Sequence, residues 1–241
     1  MGKSVLLAFA ALAAASIVSA HGNITSPPAR LPGAAMAKAC GQTGVTAVLQ
    51  DGTIPLENLL PAPASCQLFL CRGALFADNT ARVQTFTAGQ VVPFTAIIPI
   101  PHEGPANVSI VNTATNTIIG TPLLVFDSYA DENLPALPAN NTAFSVTLPT
   151  GADAAAVAAN CAVAGACVLQ WFWFGTAAKQ TYESCVDFTF QAAAAGAAAN
   201  TAAPVPAVVQ SNGAAGGVVQ AFGVTPAKRW VDRRFAGRGR H

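Results

Sequence analysis

The chain predicts an all-β domain, an antiparallel β-sandwich with long loops held by disulfides, and three observations carry that reading. Short apolar or β-branched runs recur from Val83 onward, separated by Gly, Pro and Asn. Apolar and polar residues alternate in NVSIV and AFSVTL, the period of a half-buried strand. The six cysteines, Cys40, Cys66, Cys71, Cys161, Cys167 and Cys185, are an even set that implies three disulfides in an oxidising compartment. Zinc fits them poorly, because neither the spacing nor nearby histidines suit it.

Taken in order, the chain opens with Lys3, the apolar run SVLLAFAALAAASI, and small residues at Val18 and Ala20. This is the pattern of a signal peptide spanning residues 1–20, cut after Ala20, so a secreted, extracellular protein starting at His21 is expected. The apolar run is short for a bilayer, which takes about 20 residues, and no second long apolar segment follows. Cleavage leaves 221 residues, enough for one domain and an appendage. The apolar fraction of 52% is inflated by alanine, so it does not argue for a membrane.

Residues 31–80 read as irregular, with a short helix in AAMAKAC and a loop through DGTIPLENLLPAPAS. Strands are expected in VQTFTAGQVVPFTAIIPI, ANVSIVNTATNTIIGTPLLVF, TAFSVTLP, CVLQWFWFG and YESCVDFTF. After Phe190 the composition turns to Ala, Gly and Pro without periodicity, which places a domain at 21–190 and a disordered linker and basic tail at 191–241. The near-neutral total conceals an acidic domain, with Arg30, Lys38, Arg72, Arg82 and Lys179 against ten carboxylates, and a tail with six basic residues against Asp232. A monomer with no nucleic-acid partner is expected. Asn23, Asn107 and Asn140 head glycosylation sequons, and a glycan on Asn23 would stand two residues from the new terminus.

The expected domain has only two histidines, His21 and His102. If His102, in the turn-like PIPHEGP, approaches the new terminus, three nitrogens converge: the His21 α-amine, one His21 imidazole nitrogen and one from His102. Three neutral nitrogens in a near-planar T suit copper. The bland alternative makes His102 a solvated loop residue and His21 an accident of cleavage. Gln180 and Tyr182, two apart in a strand, share a face, although a tyrosine near a terminal strand's cysteine is also an ordinary core residue. Hydrolase signals such as GxSxG and HExxH are missing.

HGNITSPPAR, PHEGPANVSIVNTATNTIIG and QTYESCVDF, in that order, resemble a fungal lytic polysaccharide monooxygenase, most closely auxiliary activity family 16, over roughly residues 21–190. The resemblance implies an immunoglobulin/fibronectin-like sandwich with one copper per chain, held in a histidine brace by His21 and His102. It makes Tyr182 the axial residue and Gln180 a residue that reaches the bound oxidant. An external electron donor with O2 or H2O2 as co-substrate, an insoluble polysaccharide partner (cellulose, a β-1,4-glucan) and cleavage by C1 oxidation follow from the same resemblance.

Resemblance and proximity also imply the pairs Cys66–Cys71, Cys161–Cys167 and Cys40–Cys185. Several cellulose-active relatives keep one more histidine near the oxygen site; here the remaining histidine is His241, and Gln170 is the stand-in. Trp171, Phe172, Trp173 and Phe174 must point to both faces of a strand, so about half belong to the core rather than to a sugar platform. The rival readings are a non-catalytic copper-binding protein of the same fold, an enzyme acting on chitin or another polysaccharide, and a carbohydrate-binding module.

Overall fold

Residues 91–97 bury Val92, Phe94 and Ala96 and leave the intervening positions to solvent, so one alternating run already defines an inside and an outside. In this computed structural model, which describes residues 21–192, that strand is one of nine. They are β1 (His21–Ser26), β2 (Gln84–Thr87), β3 (Val91–Ile100), β4 (Gly104–Asn112), β5 (Thr117–Ile118), β6 (Leu124–Tyr129), β7 (Ala143–Thr147), β8 (Cys167–Gly175) and β9 (Gln180–Gln191). The helices are α1 (Ala34–Cys40), α2 (Gln42–Gln50), α3 (Ala139–Thr142) and α4 (Gly151–Cys161). The expected signal peptide and all but the first two residues of the expected tail lie outside the described residues.

The strands form two sheets, as the alternation predicts. One is three-stranded, in the order β1-β3-β7; the other is six-stranded, in the order β2-β9-β8-β4-β5, with β6 also on β4. Between them lie Ile24, Phe94 and Val146 from the smaller sheet and Val108, Ile110, Leu169, Trp171, Trp173, Tyr182 and Phe188 from the larger. Trp171 and Trp173 are fully buried while Phe172 and Phe174 are half-buried, the two-faced split expected of four successive aromatics. β2 departs from an all-antiparallel pattern: it runs parallel to β9, Gln84 opposite Phe188 through Thr87 opposite Gln191. Gln191 thus still belongs to the sheet, one residue past the expected boundary.

The short helix in AAMAKAC is α1 itself, but α2 and α4 occupy stretches read as irregular or unassigned. Their signal was present: Val45 and Val48 are buried on α2, and Ala154, Val157 and Cys161 on α4, at spacings of three and four that the alanine-rich background obscured. The short turns Leu56–Leu59 and Cys71–Gly73 lie against β9 of the larger sheet, and α1 packs on α2 and on the second of these turns. Arg30 ties the segment before α1 to β9 through a buried bidentate pair with Asp187, at 2.7 Å to each oxygen.

Of the three implied disulfides, Cys161–Cys167 forms, and the other two pairings are replaced by Cys40–Cys66 and Cys71–Cys185. Cys40 ends α1, and its sulfur and that of Cys66 meet over Gly73, where a Cβ would stand 2.7 and 3.0 Å from them. Cys71 and Arg72 both adopt left-handed backbone, at φ 56° and 58°. That bend turns Cys71 away from its neighbour Cys66 and onto the outer face of β9, where Cys185 points.

Candidate metal centre

His21 opens β1 opposite Ile100, the last residue of β3, and His102 follows two residues later in the connection to β4. Antiparallel pairing therefore sets His21 opposite a residue two positions before His102, which lies 81 positions further along the chain. Trp173 touches the backbone next to His21 and the backbone of His102 itself. A Cβ on Gly22 would stand 2.9 Å from the Trp173 ring, and the Trp173 indole N–H donates to the His102 carbonyl at 3.1 Å. The same ring stacks on Tyr182 at 4.4 Å, its partner across β8 and β9. Glycine at 22 lets the N-terminal strand lie directly on the indole. At Gly104 a Cβ would stand 2.0 Å from the Phe174 carbonyl, so the chain just after His102 can hug the end of β8 only as glycine.

Each imidazole has a carboxylate beside it. Asp51, at the end of α2, places Oδ2 3.0 Å from Nε2 of His21, while its Oδ1 accepts the Thr53 amide at 2.8 Å and the Thr53 hydroxyl at 2.5 Å. Partial burial pushes the Asp51 carboxyl up, but the Thr53 hydrogen bonds and the charges of His21 and Arg72 outweigh it and hold it below the ordinary carboxylate range. Glu132 accepts the Glu103 amide at 2.5 Å and sits 3.6 Å from Nδ1 of His102. It too is held low: the slight desolvation is outweighed by backbone donors and by His102.

His102 is buried, and neither ring nitrogen has a hydrogen-bond partner among the described residues. A buried imidazole whose nearest acceptor is a carboxylate at 3.6 Å, beyond hydrogen-bond length, costs folding free energy, which a bound metal would offset. The donor types therefore fit copper: two imidazoles, each with a carboxylate beside it. Among the described residues no three His, Cys, Asp or Glu side chains cluster as a metal cage. A metal here would have to complete its ligands with a group of another kind, such as a terminal amine on His21.

Gln180 and Tyr182 are in direct contact, the tyrosine hydroxyl donating to the Gln180 Oε1 at 2.8 Å. Burial first, and Glu57 second, push the Tyr182 hydroxyl well above its ordinary value, so it stays protonated. Gln170 is placed otherwise. It pairs with Cys185, whereas Tyr182 pairs with Trp173 three positions along β8, so the pleat sends Gln170 to the opposite face of the sheet and it cannot replace a histidine beside the metal. Its Nε2 is buried without a hydrogen-bond partner among the described residues. Asp51, Glu132 and Arg72 were not singled out by sequence; they come from loops without regular pattern.

Of the sequon asparagines, Asn140 is exposed, Asn107 is half-buried in the middle of β4, and Asn23 accepts the Ser184 hydroxyl at 2.7 Å. The Asn23 Nδ2 lies 3.5 Å from where a Gly52 Cβ would stand, beside the segment that carries Asp51 and Thr53.

No known family profile matches the chain, and no curated protein matches it. Among solved structures it is similar to a Jonesia denitrificans lytic polysaccharide monooxygenase at 18% identity and a TM-score of 0.35, covering 71% of this chain and 100% of that one. It is also similar to a chitin binding domain from Burkholderia pseudomallei, at 15% identity and 0.35 over 71% and 100% of the two chains. A third similarity is to the cellulose-active lytic polysaccharide monooxygenase CelS2 in complex with copper, at 14% and 0.37 over 66% and 83%. Likeness at this level carries no argument about the site, which rests on the residues themselves.

Proposed function

We propose that this chain is a secreted copper-dependent lytic polysaccharide monooxygenase, of the kind that auxiliary activity family 16 represents, which cleaves a β-1,4-glucan with oxidation at C1. The observation that supports the reading is the pairing of His21 with Ile100, two residues before His102, with Trp173 against Gly22 and the His102 carbonyl, a carboxylate beside each imidazole, and neither ring nitrogen of buried His102 hydrogen-bonded among the described residues. After cleavage behind Ala20, the α-amine and imidazole of His21 and the imidazole of His102 would hold one copper. Copper bound there, once reduced by an external donor, supplies the one-electron chemistry that oxygen insertion into a C–H bond requires.

The balance is R–H + O2 + 2e⁻ + 2H⁺ giving R–OH + H2O, or R–H + H2O2 giving R–OH + H2O. Hydroxylation at C1 breaks the chain as the neighbouring O4 leaves as an alcohol, with C1 left as a lactone.

The protein's own residues frame the site. Asp51 faces the His21 imidazole and Glu132 the His102 imidazole, Trp173 stacks on Tyr182 on the inner side, and Gln180 presents its carboxamide with Oε1 held by the Tyr182 hydroxyl. Among the described residues every Trp and Tyr is buried, and the side chains beside His21 that reach solvent include aliphatic Ile100 and acidic Asp51. Polysaccharide would then be gripped by aliphatic and polar contacts rather than by stacking on indole or phenol rings.

The test uses protein processed to begin at His21. Copper stoichiometry is measured, followed by reductant-dependent release of oxidised oligosaccharides from cellulose and chitin. Tight one-to-one copper with C1-oxidised cello-oligosaccharides supports the reading. Copper binding without products makes it a copper-binding protein, and adsorption to polysaccharide without copper binding makes it a carbohydrate-binding module.

A further inference from the structure

We infer that Arg72 is the positioning residue of this site: its buried guanidinium clamps the carbonyls on either side of Thr53 and so holds the loop that fixes His21. The inference rests on reading His21 as a copper ligand. Nη1 of Arg72 donates to the Gly52 carbonyl and Nη2 to the Ile54 carbonyl, the latter at 2.8 Å. Thr53, between them, touches the N-terminal strand twice. Its carbonyl accepts the Gly22 amide at 2.9 Å, and its amide and hydroxyl both hold the Asp51 carboxylate that faces His21. Displacing this short segment would shift the backbone contact of Gly22 and the side-chain contact of His21 together.

Arg72 is itself anchored to the strand that carries Tyr182. Cys71 is bonded to Cys185, and the Arg72 amide donates to Glu183 Oε2 at 3.5 Å. Both residues hold left-handed backbone, a conformation that costs non-glycine residues free energy and persists where the surroundings impose it. The result is a continuous strut from β9 through Arg72 to the 51–54 loop and on to His21. It links the element bearing Tyr182 to the one bearing the N-terminal histidine.

Packing shares this work, since Thr53 and Ile54 are buried and Ile54 sits in a cluster with Met36, Val45, Val48 and Ala74. A cavity of about 230 Å³, lined by Asn23, Val48, Gly52, Arg72, Glu183 and Ser184, lies under this part of β1. Arg72 is 7% exposed, and its Nε has no hydrogen-bond partner among the described residues. Burial pulls the guanidinium down to about 10, opposed by Glu183 and Asp51, so it remains a cation at neutral pH. A planar fork reaches two carbonyls at once, which a lysine ammonium does less well.

The experiment uses the mature chain as wild type, Arg72→Met and Arg72→Lys. Amide hydrogen exchange is followed by NMR without metal, and copper is then followed by calorimetry and electron paramagnetic resonance. In Arg72→Met the Gly22 and Thr53 amides should exchange at least about tenfold faster while the amides of β4 and β8 are unchanged, which separates loop release from global destabilisation. Copper affinity should fall about tenfold, as for loss of an outer-shell support, with a changed copper spectrum; Arg72→Lys should lie between. Wild-type exchange at Gly22 in a folded Arg72→Met protein would overturn the clamp. If that variant does not fold, wild-type exchange at Gly22 in Arg72→Lys overturns it equally. A wild type that binds no copper refutes the ligand reading of His21, while Gly22 exchange still decides the strut.

Discussion

His102 is where a single residue tests the most. Replacing it with Ala removes one of three proposed nitrogens, and copper affinity should drop about a hundredfold or more; calorimetry showing unchanged one-to-one binding would remove the brace. Gln180 and Tyr182 divide a different task. Gln180→Ala should bind copper like the wild type yet turn over at least about tenfold more slowly, because it loses an oriented donor at the reacting position. Tyr182→Phe leaves the Gln180 Oε1 without its hydroxyl partner, so it should cost about 1 kcal/mol of stability and alter the copper resonance signal while affinity barely moves. A Gln180→Ala enzyme with full turnover would reduce the Gln180–Tyr182 contact to a structural hydrogen bond.

At the scale of elements, the disulfides differ in what they constrain. Cys71–Cys185 spans 114 residues, Cys40–Cys66 spans 26 and Cys161–Cys167 spans 6. By the chain-entropy account their removal should cost roughly 5, 3.5 and 2 kcal/mol respectively. Denaturant melts of the three double-serine variants should give that order, and a Cys161–Cys167 knockout worse than the Cys71–Cys185 one would contradict it. The longest bridge also carries Arg72, so its loss should weaken copper binding more than loss of the other two. Register explains why these elements matter. The β1–β3 pairing sets His21 against Ile100, and a one-residue slip would turn Ile24 out of the core in which it is now 2% exposed.

For the whole molecule, a metal that binds only the folded state must raise its stability. With free copper at about a hundred times its dissociation constant the gain is about 2.7 kcal/mol, so the melting temperature should rise on copper addition and return with a chelator. No rise in correctly processed protein would speak against a resident metal. Cutting the chain after Ala192 keeps Gln191, whose carbonyl accepts the Ala88 amide at 3.2 Å. Copper affinity and activity on soluble substrate should then stay within a few-fold of the full chain. The removed segment carries six basic residues against one acidic, so adsorption to anionic surfaces should be the property that falls, and more at low salt. Loss of folding on truncation would refute the boundary.

The sequence by itself determined the layered β architecture, because alternation such as Val92, Phe94 and Ala96 is a local property that any strand pairing must respect. It also determined the shared face of Gln180 and Tyr182, two residues apart on one strand, and the stock of two histidines. Pairing across long chain separations was beyond it. Cys66 and Cys71 are close in sequence, but the left-handed turn at 71 and 72 sends Cys71 to Cys185, and no local pattern announces that bend. Gln170 looked available until the register with Cys185 set its face. Asp51, Glu132 and Arg72 sit on irregular loops, where burial and charge arise only when distant segments are brought together. The candidate ligands were thus legible from residue type, while the groups that hold them in place were decided by tertiary packing, since a hydrogen bond between residues 20 to 110 positions apart leaves no periodic trace in the chain.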